Sequence, residues 1–354
     1  MSDYHRIIVR TPNWVGDAVM ALPFLSSLRL NAPNSEICVV TPPFLTEFFS
    51  QVRPCDRVLA LDESQGRHGL SAVWRNSSVL RPLEFDLGFC LPPSFGTALM
   101  MRLAGVKRRV GHSADRRGLL LTDKSPYLPD GQRPHRALGY LSLLNLIWQD
   151  ARIDRNLHYE PGIAARSAVD DLFREKGVLG SDRILALSPG AAQPNKLWRT
   201  ESFAEVGRRW LDVKGGTVLL VGGVADKAVA DAVSAGVRSD RVVNLCGAGS
   251  LPLAGEISKR ADVFVGNDSG LSHLAAAVGT PVVTISGPGD PSEVEPFAQN
   301  VVTVKKSLFC SPCYSNTCYR KDHPLECQDL VSVDDVWEAL HALPQRTRSS
   351  RSTS

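Results

Sequence analysis

Three stretches of the 354-residue sequence set acids, a lysine and small residues where an apolar run passes into an amphipathic one. Such junctions are where open α/β sheets bind their ligands. The first reads Thr11-Pro12-Asn13-Trp14-Val15-Gly16-Asp17-Ala18. A carboxylate at this turn can act as a general base, and Gly16 beside it lets a substrate approach the backbone closely. A plain helix N-cap, which alone would account for an acid there, is the competing reading of Asp17. The second runs from Ser188 through Gly190 to Lys196. Small residues followed by one ammonium suit a diphosphate, because backbone amides and a cation can share its charge. The glycine spacing and Lys-Ser/Thr pair of a Walker loop are absent, and a surface loop with an incidental lysine is the competing reading.

The third stretch is the richest: Asn267-Asp268-Ser269-Gly270-Leu271-Ser272-His273, ending a buried apolar run and opening an Ala-rich helix that stops at Gly279. Free amides and the positive end of a helix attract phosphate there. Asp268 and Ser269 also suit plain capping, although so many polar residues exceed what a cap requires. Asp226, just past Gly222-Gly223, is placed to accept hydrogen bonds from ribose hydroxyls. No Gly-x-Gly-x-x-Gly opens a helix after the first strand, which argues against a nicotinamide dehydrogenase. Late in the chain Cys310, Cys313, Cys318 and Cys327 are spaced C-x2-C-x4-C-x8-C. Zinc, an iron–sulfur cluster, free thiols and an occasional disulfide all stay open, since the spacing is not that of a zinc ribbon.

The elements that must position these residues follow from periodicity. Apolar runs at Ile7 to Arg10, Ile37 to Val40, Val58 to Leu61, Phe85 to Leu91 and near Val110 alternate with helical patterns at Ala18 to Leu30, Leu70 to Leu80 and Thr97 to Leu103. After a mostly helical span from about His135 to Gly180, the alternation restarts at Ile184 to Leu187 and continues to Val282 to Ile285. This predicts an α/β fold of two Rossmann-like, doubly wound parallel sheets, over residues 1–160 and 161–343, with the ligand in a cleft between them. Residues 344–354, rich in Ser, Thr and Arg, read as a disordered tail.

Hydrophobic residues make up 43% and charged residues 22%, a globular balance, and a net charge of +3 gives no reason to expect a nucleic-acid partner. Local charge differs: Lys107, Arg108, Arg109, His112, Arg116 and Arg117 crowd one stretch against a single acid, Asp115, which reads either as a solvated loop whose arginine stems cover apolar neighbours or as an anion-binding face. No run approaches the roughly 18 apolar residues of a membrane span, and the amino terminus lacks a signal-peptide layout, so a cytoplasmic location is expected.

Together the opening stretch, continued through Ala21-Leu22-Pro23, and the stretch from Asn267 to His273 resemble the ADP-heptose:lipopolysaccharide heptosyltransferases, glycosyltransferase family 9, from about His5 to Leu340. The first stretch is most similar to the second heptosyltransferases of that pathway. The resemblance implies a GT-B fold, with the acceptor in the first domain and an ADP-heptose donor in the second. It implies an inverting reaction that needs no metal or other cofactor, with Asp17 as base and Lys196 steadying the leaving diphosphate. Asn13, Trp14, Gly16, Ser188, Gly190, Asp226, Asn267, Asp268, Ser269, Gly270, Leu271 and His273 would bind substrate. The acceptor would be a lipid-linked lipopolysaccharide core met at the inner face of the inner membrane, and the basic stretch at Lys107 to Arg117 would face it. A diphosphate already leaves as a stable anion, so one base suffices, unlike the paired acids of glycoside hydrolysis. Another nucleotide sugar or acceptor is the nearest rival; a non-catalytic nucleotide-binding protein is disfavoured by the presence of Asp17.

Overall fold

The computed structural model describes residues 4–63, 69–129 and 131–343; the tail expected at 344–354 lies outside them. The chain divides into two compact units, Met1–Leu157 and His158–Ser354. Tyr159 already belongs to the second, where its N–H donates to the Ala277 carbonyl at 2.9 Å.

In the first unit, strands β1 (Arg6–Arg10), β2 (Glu36–Thr41), β3 (Arg57–Ala60), β4 (Leu87–Cys90), β5 (Arg108–His112) and β6 (Asp123–Ser125) form one sheet in the order β3-β2-β1-β4-β5-β6. Every pairing is parallel. The helices are α1 (Val15–Met20), α2 (Leu22–Asn31), α3 (Thr46–Ser50), α4 (Leu70–Leu80), α5 (Phe95–Leu103) and α6 (Arg136–Ser142). Ile8, Cys38, Val40 and Cys90 from the strands pack with Leu80, Ala98, Met100 and Met101 from α4 and α5. The single helix expected from Ala18 to Leu30 is two, broken at Ala21. Pro23 has no N–H to return to Val19, and its ring would crowd that carbonyl, so the first helix stops and a second starts with proline in its first turn.

The second unit repeats the plan. Its helices are α7 (Ile163–Glu175), α8 (Thr200–Lys214), α9 (Lys227–Val237), α10 (Leu251–Arg260), α11 (Gly270–Ala277), α12 (Pro291–Val294), α13 (Glu326–Asp329) and α14 (Val333–Ala342). Its strands are β7 (Ile184–Ser188), β8 (Thr217–Leu220), β9 (Val242–Asn244), β10 (Val263–Asn267), β11 (Val282–Ile285) and β12 (Val301–Val304), ordered β12-β11-β10-β7-β8-β9 and all parallel. Strands β7, β8, β10 and β11 are buried along their whole length, as a sheet covered on both faces requires. Phe203 and Trp210 of α8, Val233 of α9 and Trp337 of α14 cover one face, each burial contributing about 1.5–3 kcal/mol. Helix α10 packs with α7 and α11.

Counted within each unit, the strand order is the same, 3-2-1-4-5-6, the doubly wound order whose direction reverses between the first and fourth strands. That switch lies between β1 and β4 in the first unit and between β7 and β10 in the second. The three chemistry-bearing stretches follow β1, β7 and β10, so all three leave a switch point at its carboxyl edge.

Candidate active site

At the first switch point Asp17 is not a cap. Trp14 holds the N-cap position of α1, and Asp17 is the helix's third residue. One carboxylate oxygen, Oδ1, accepts from Nη1 of Arg136 at 2.5 Å, with 16% of the Asp17 side chain and 38% of the Arg136 side chain exposed. The other oxygen takes no hydrogen bond from any described residue. Burial opposes the charge of Arg136, Asp17 favours it, and the balance raises the guanidinium's pKa. Tyr140, one turn along α6, is buried; burial first and then the charge of Asp17 push its phenol well above its usual pKa, so it stays protonated. Arg10, at the end of β1, donates to the Thr11 carbonyl and to Oδ1 of Asn13, fixing the turn before Trp14. Burial brings that guanidinium down to about 10, which leaves it charged at neutral pH. Trp14 itself is 63% exposed, and Gly16 is half-buried between it and the acid.

The second switch point gathers the other two stretches. Nζ of Lys196 lies 2.7 Å from Oδ2 of Asp268, whose side chain is 8% exposed. Ser269 occupies the N-cap of α11, yet its hydroxyl makes no cap bond; it is buried and has no hydrogen-bond partner among the described residues. Neither residue therefore does what capping alone would ask. Gly270 and Leu271 form the first, half-buried turn of α11, and His273 is enclosed on the next. Asp226 accepts from the Gly223 N–H at 2.8 Å through Oδ2, leaving Oδ1 without a donor among the described residues. Gly190 leaves room for the acid here: a Cβ would sit 2.1 Å from Oδ1 of Asp226 and would displace that side chain. The structure thus brings Ser188, Gly190, Lys196, Asp226, Asp268 and Ser269 to one sheet edge, with a cation, a helix amino end and unengaged oxygens on it.

Two expectations need correction. Asn267 is fully enclosed and its amide is spent on protein: Oδ1 accepts from the Trp198 N–H at 3.0 Å, and Nδ2 donates to the Pro189 carbonyl at 2.8 Å. It shapes the Lys196 loop instead of meeting a ligand. The basic stretch also divides. Lys107 pairs with Asp86, Arg108 with Asp123, and Arg109 donates to the Leu120 and Val106 carbonyls, all at the amino end of β5, the edge opposite Asp17. Arg117 is fully buried, holding the carbonyls of Cys90, Pro92, Ser94 and His112. Only exposed Arg116, with half-buried His112, is left to face solvent at the other end.

Arg136 and Arg10 were not among the expected site residues. Arg136 had one readable signal: a cation as the first residue of a helix opposes the helix dipole and calls for an anion nearby. Among the described residues, no group of three or more His, Cys, Asp or Glu is placed so that it could hold a metal ion, and no helix is long and apolar enough to cross a membrane.

Two Rossmann-like sheets of one strand order, each with a polar cluster at its switch point, belong to the GT-B class of glycosyltransferase. Residues 73–323 match the model of glycosyltransferase family 9 (heptosyltransferase), and the chain belongs to that family. It is 26% identical over 308 residues to lipooligosaccharide heptosyltransferase 2 of Haemophilus influenzae, covering 84% of this chain and 88% of the relative. Lipopolysaccharide heptosyltransferase 2 of Escherichia coli K12 is also 26% identical, over 310 residues, covering 85% and 88%. Among solved structures, E. coli ADP-heptose heptosyltransferase II superposes with a TM-score of 0.78 at 22% identity, over 95% of this chain and 98% of that one. A family 9 glycosyltransferase from Veillonella parvula gives 0.85 at 23% identity, over 97% and 98%.

Proposed function

We propose that the protein moves heptose from ADP-L-glycero-D-manno-heptose to the inner core of a lipid-linked lipopolysaccharide, inverting the anomeric centre in one displacement. Asp17 takes the proton of the accepting hydroxyl through the oxygen that Arg136 leaves free. The first unit binds the acceptor, with Trp14 offering an exposed ring and Asn13 and Gly16 shaping the turn. The second binds the donor. Lys196, Ser269 and the first amides of α11 receive the diphosphate, with Gly270, Leu271 and His273 behind them and Ser188 and Gly190 below. Asp226 accepts from the ribose through its free oxygen.

The observation that carries this reading is the pairing of Lys196 with Asp268 at the amino end of α11, beside a buried Ser269 hydroxyl with no protein partner among the described residues. Positive charge and fixed donors placed where a diphosphate's charge grows are the form of stabilisation that such a leaving group needs. A lipid-linked acceptor brings the protein to the inner face of the inner membrane from the cytoplasm.

The test is ADP release from ADP-heptose with and without a truncated core acceptor. Release only with acceptor present supports the reading. Turnover with a different nucleotide sugar, and none with ADP-heptose, would retain the site and replace the donor.

A further inference from the structure

In the first unit the loop that follows β5 is held in a strained shape. Asp115 and Arg116 stand side by side in the left-handed backbone region, with φ of 49° and 54°, where residues other than glycine are disfavoured. Arg117, the next residue, is fully buried and holds the carbonyls of Cys90, Pro92, Ser94 and His112. An enclosed guanidinium is destabilising unless its N–H groups are matched, and here the match locks the loop onto the ends of β4 and β5.

What the braced loop presents is Leu119, which closes it at 91% exposure. Phe95, the first residue of α5, is 41% exposed, and its N–H donates to Oδ2 of Asp115 at 2.7 Å, which joins the two tips. Asp115 is the one acid from residue 113 to residue 119, and its carboxylate is engaged by that bond. Arg116 and Lys124 are both exposed, and neither has an acidic partner among the described residues. Nζ of Lys124 lies 3.4 Å from the Gly118 carbonyl, next to Leu119.

The second unit shows that the topology does not require such a loop. There β10 and β11 hold the places of β4 and β5, and the residues that follow them, 268–269 and 286–290, expose no large apolar side chain. Two apolar tips are too small an area for a stable protein interface. Set among unpaired cations, they suit the boundary of an anionic bilayer, where apolar groups meet acyl chains and cations meet headgroups. The place fits as well: β5 is two strands from β1, about 10 Å along the carboxyl edge that also carries Asp17.

We propose that the loop from Asp115 to Leu119, with Phe95, docks the first unit on an anionic phospholipid bilayer. Leu119 and Phe95 enter the acyl boundary, and Arg116 and Lys124 meet headgroup phosphates. The choice of a bilayer rests on the lipid-linked acceptor proposed above, whose anchor lies in the surface from which its sugar reaches Asp17. Docking itself needs neither donor nor acceptor, so it is tested apart from that reading.

Full-length protein should sediment with vesicles of phosphatidylglycerol and phosphatidylethanolamine that hold no acceptor, and less so as salt screens the headgroups. Leu119→Ser should weaken this binding about tenfold. Arg116→Gly, which suits the left-handed backbone and removes the charge, should weaken it several-fold. Leu179→Ser, at an exposed leucine of the second unit, should bind as the wild type does. In the ADP-release assay Leu119→Ser should lose most transfer to an acceptor embedded in vesicles and keep transfer to a water-soluble truncated core. No binding to anionic vesicles, unchanged binding by Leu119→Ser, or binding only when the vesicles hold the core acceptor would overturn the proposal. Vesicle binding that Leu119→Ser weakens, with no heptose passed to either acceptor, would uphold the dock and remove the proposed transfer.

Discussion

The two units share a strand order, and each sets a carboxylate–cation pair at its switch point, yet the two pairs are arranged for opposite tasks. In the first, the acid lies in the opening turn of a helix and its cation comes from a helix start 119 residues on. Arg136 holds one oxygen of Asp17 and leaves the other without a donor among the described residues, which suits accepting a proton. In the second, Asp268 is the more enclosed partner, and Lys196 stands on an irregular loop beside the positive end of α11. That surrounding suits an anion. One topology thus offers the same edge twice, and the local charge makes one edge suit a proton and the other a phosphate, the division of labour proposed above. Support differs as well: α1 carries Asp17 on its own backbone, whereas the Lys196 loop is held from outside by Asn267, Ser315, Asn316 and Gln328.

The largest expected effect breaks the proton side alone. Asp17→Asn keeps the shape and the Arg136 contact but cannot take a proton, so transfer should fall by about 10²–10⁴. ADP affinity, measured calorimetrically, should not change; a parallel loss of ADP binding would mean that Asp17 serves the donor instead. On the phosphate side, Lys196→Ala should lower kcat by roughly 10²–10³, the usual effect of removing one group that stabilises developing negative charge. It should weaken ADP binding too, and Lys196→Arg should recover part of both. Equal behaviour of the two variants toward ADP would erase the distinction between the units.

A smaller effect tests whether Arg136 positions the base. Arg136→Gln should cost about tenfold in kcat, or ~1.4 kcal/mol in the barrier, with KM for the donor unchanged. Arg136→Lys should retain the charge and recover only part, since a lysine cannot fix the carboxylate plane as a guanidinium does. If the loss instead tracks thermal stability and Arg136→Lys restores nothing, Arg136 is a structural strut.

What the sequence carried and what it hid follow from the range of the interactions. The strands that hold the site are short apolar runs with local signatures, and the turns at Asp17, Gly190 and Asp268 are contiguous in the chain, so their types and places were legible. The partner of Asp17 was not, because nothing near residue 17 specifies residue 136. Arg10 and Arg117 look like surface charges until burial shows them tying up carbonyls. Asn267 has the right chemistry for a ligand, but only the packing of the Lys196 loop over it shows that its amide is already used. Strand β6, three residues of Asp-Lys-Ser, has no apolar pattern at all and exists through pairing with β5. The helix pair α1 and α2 shows the reverse case, in which one proline overrides an unbroken apolar period.

The smallest expected effect concerns how the two units respond to acid. Burial holds the His112 imidazole below its usual 6.5 in the folded first unit, where Nε2 lies 3.1 Å from the Gly139 carbonyl on α6. Unfolding releases a histidine that binds a proton more readily. The stability this group contributes is therefore complete above pH 6.5 and is lost as pH falls from there through the lower, folded value. In the second unit Asp335, held down by Lys306, behaves as a depressed carboxylate, whose contribution is lost only as pH falls below the usual 3.8. Mild acid should therefore loosen the first unit before the second. Hydrogen exchange between pH 7 and pH 5 should show α6 and β5 losing protection while β7 and β10 keep theirs. His112→Gln, which can still bond Gly139 but does not titrate, should remove that pH dependence at a cost of about 1 kcal/mol at neutral pH. Simultaneous loosening of both sheets in the wild type, or an unchanged acid response in His112→Gln, would place the sensitivity elsewhere.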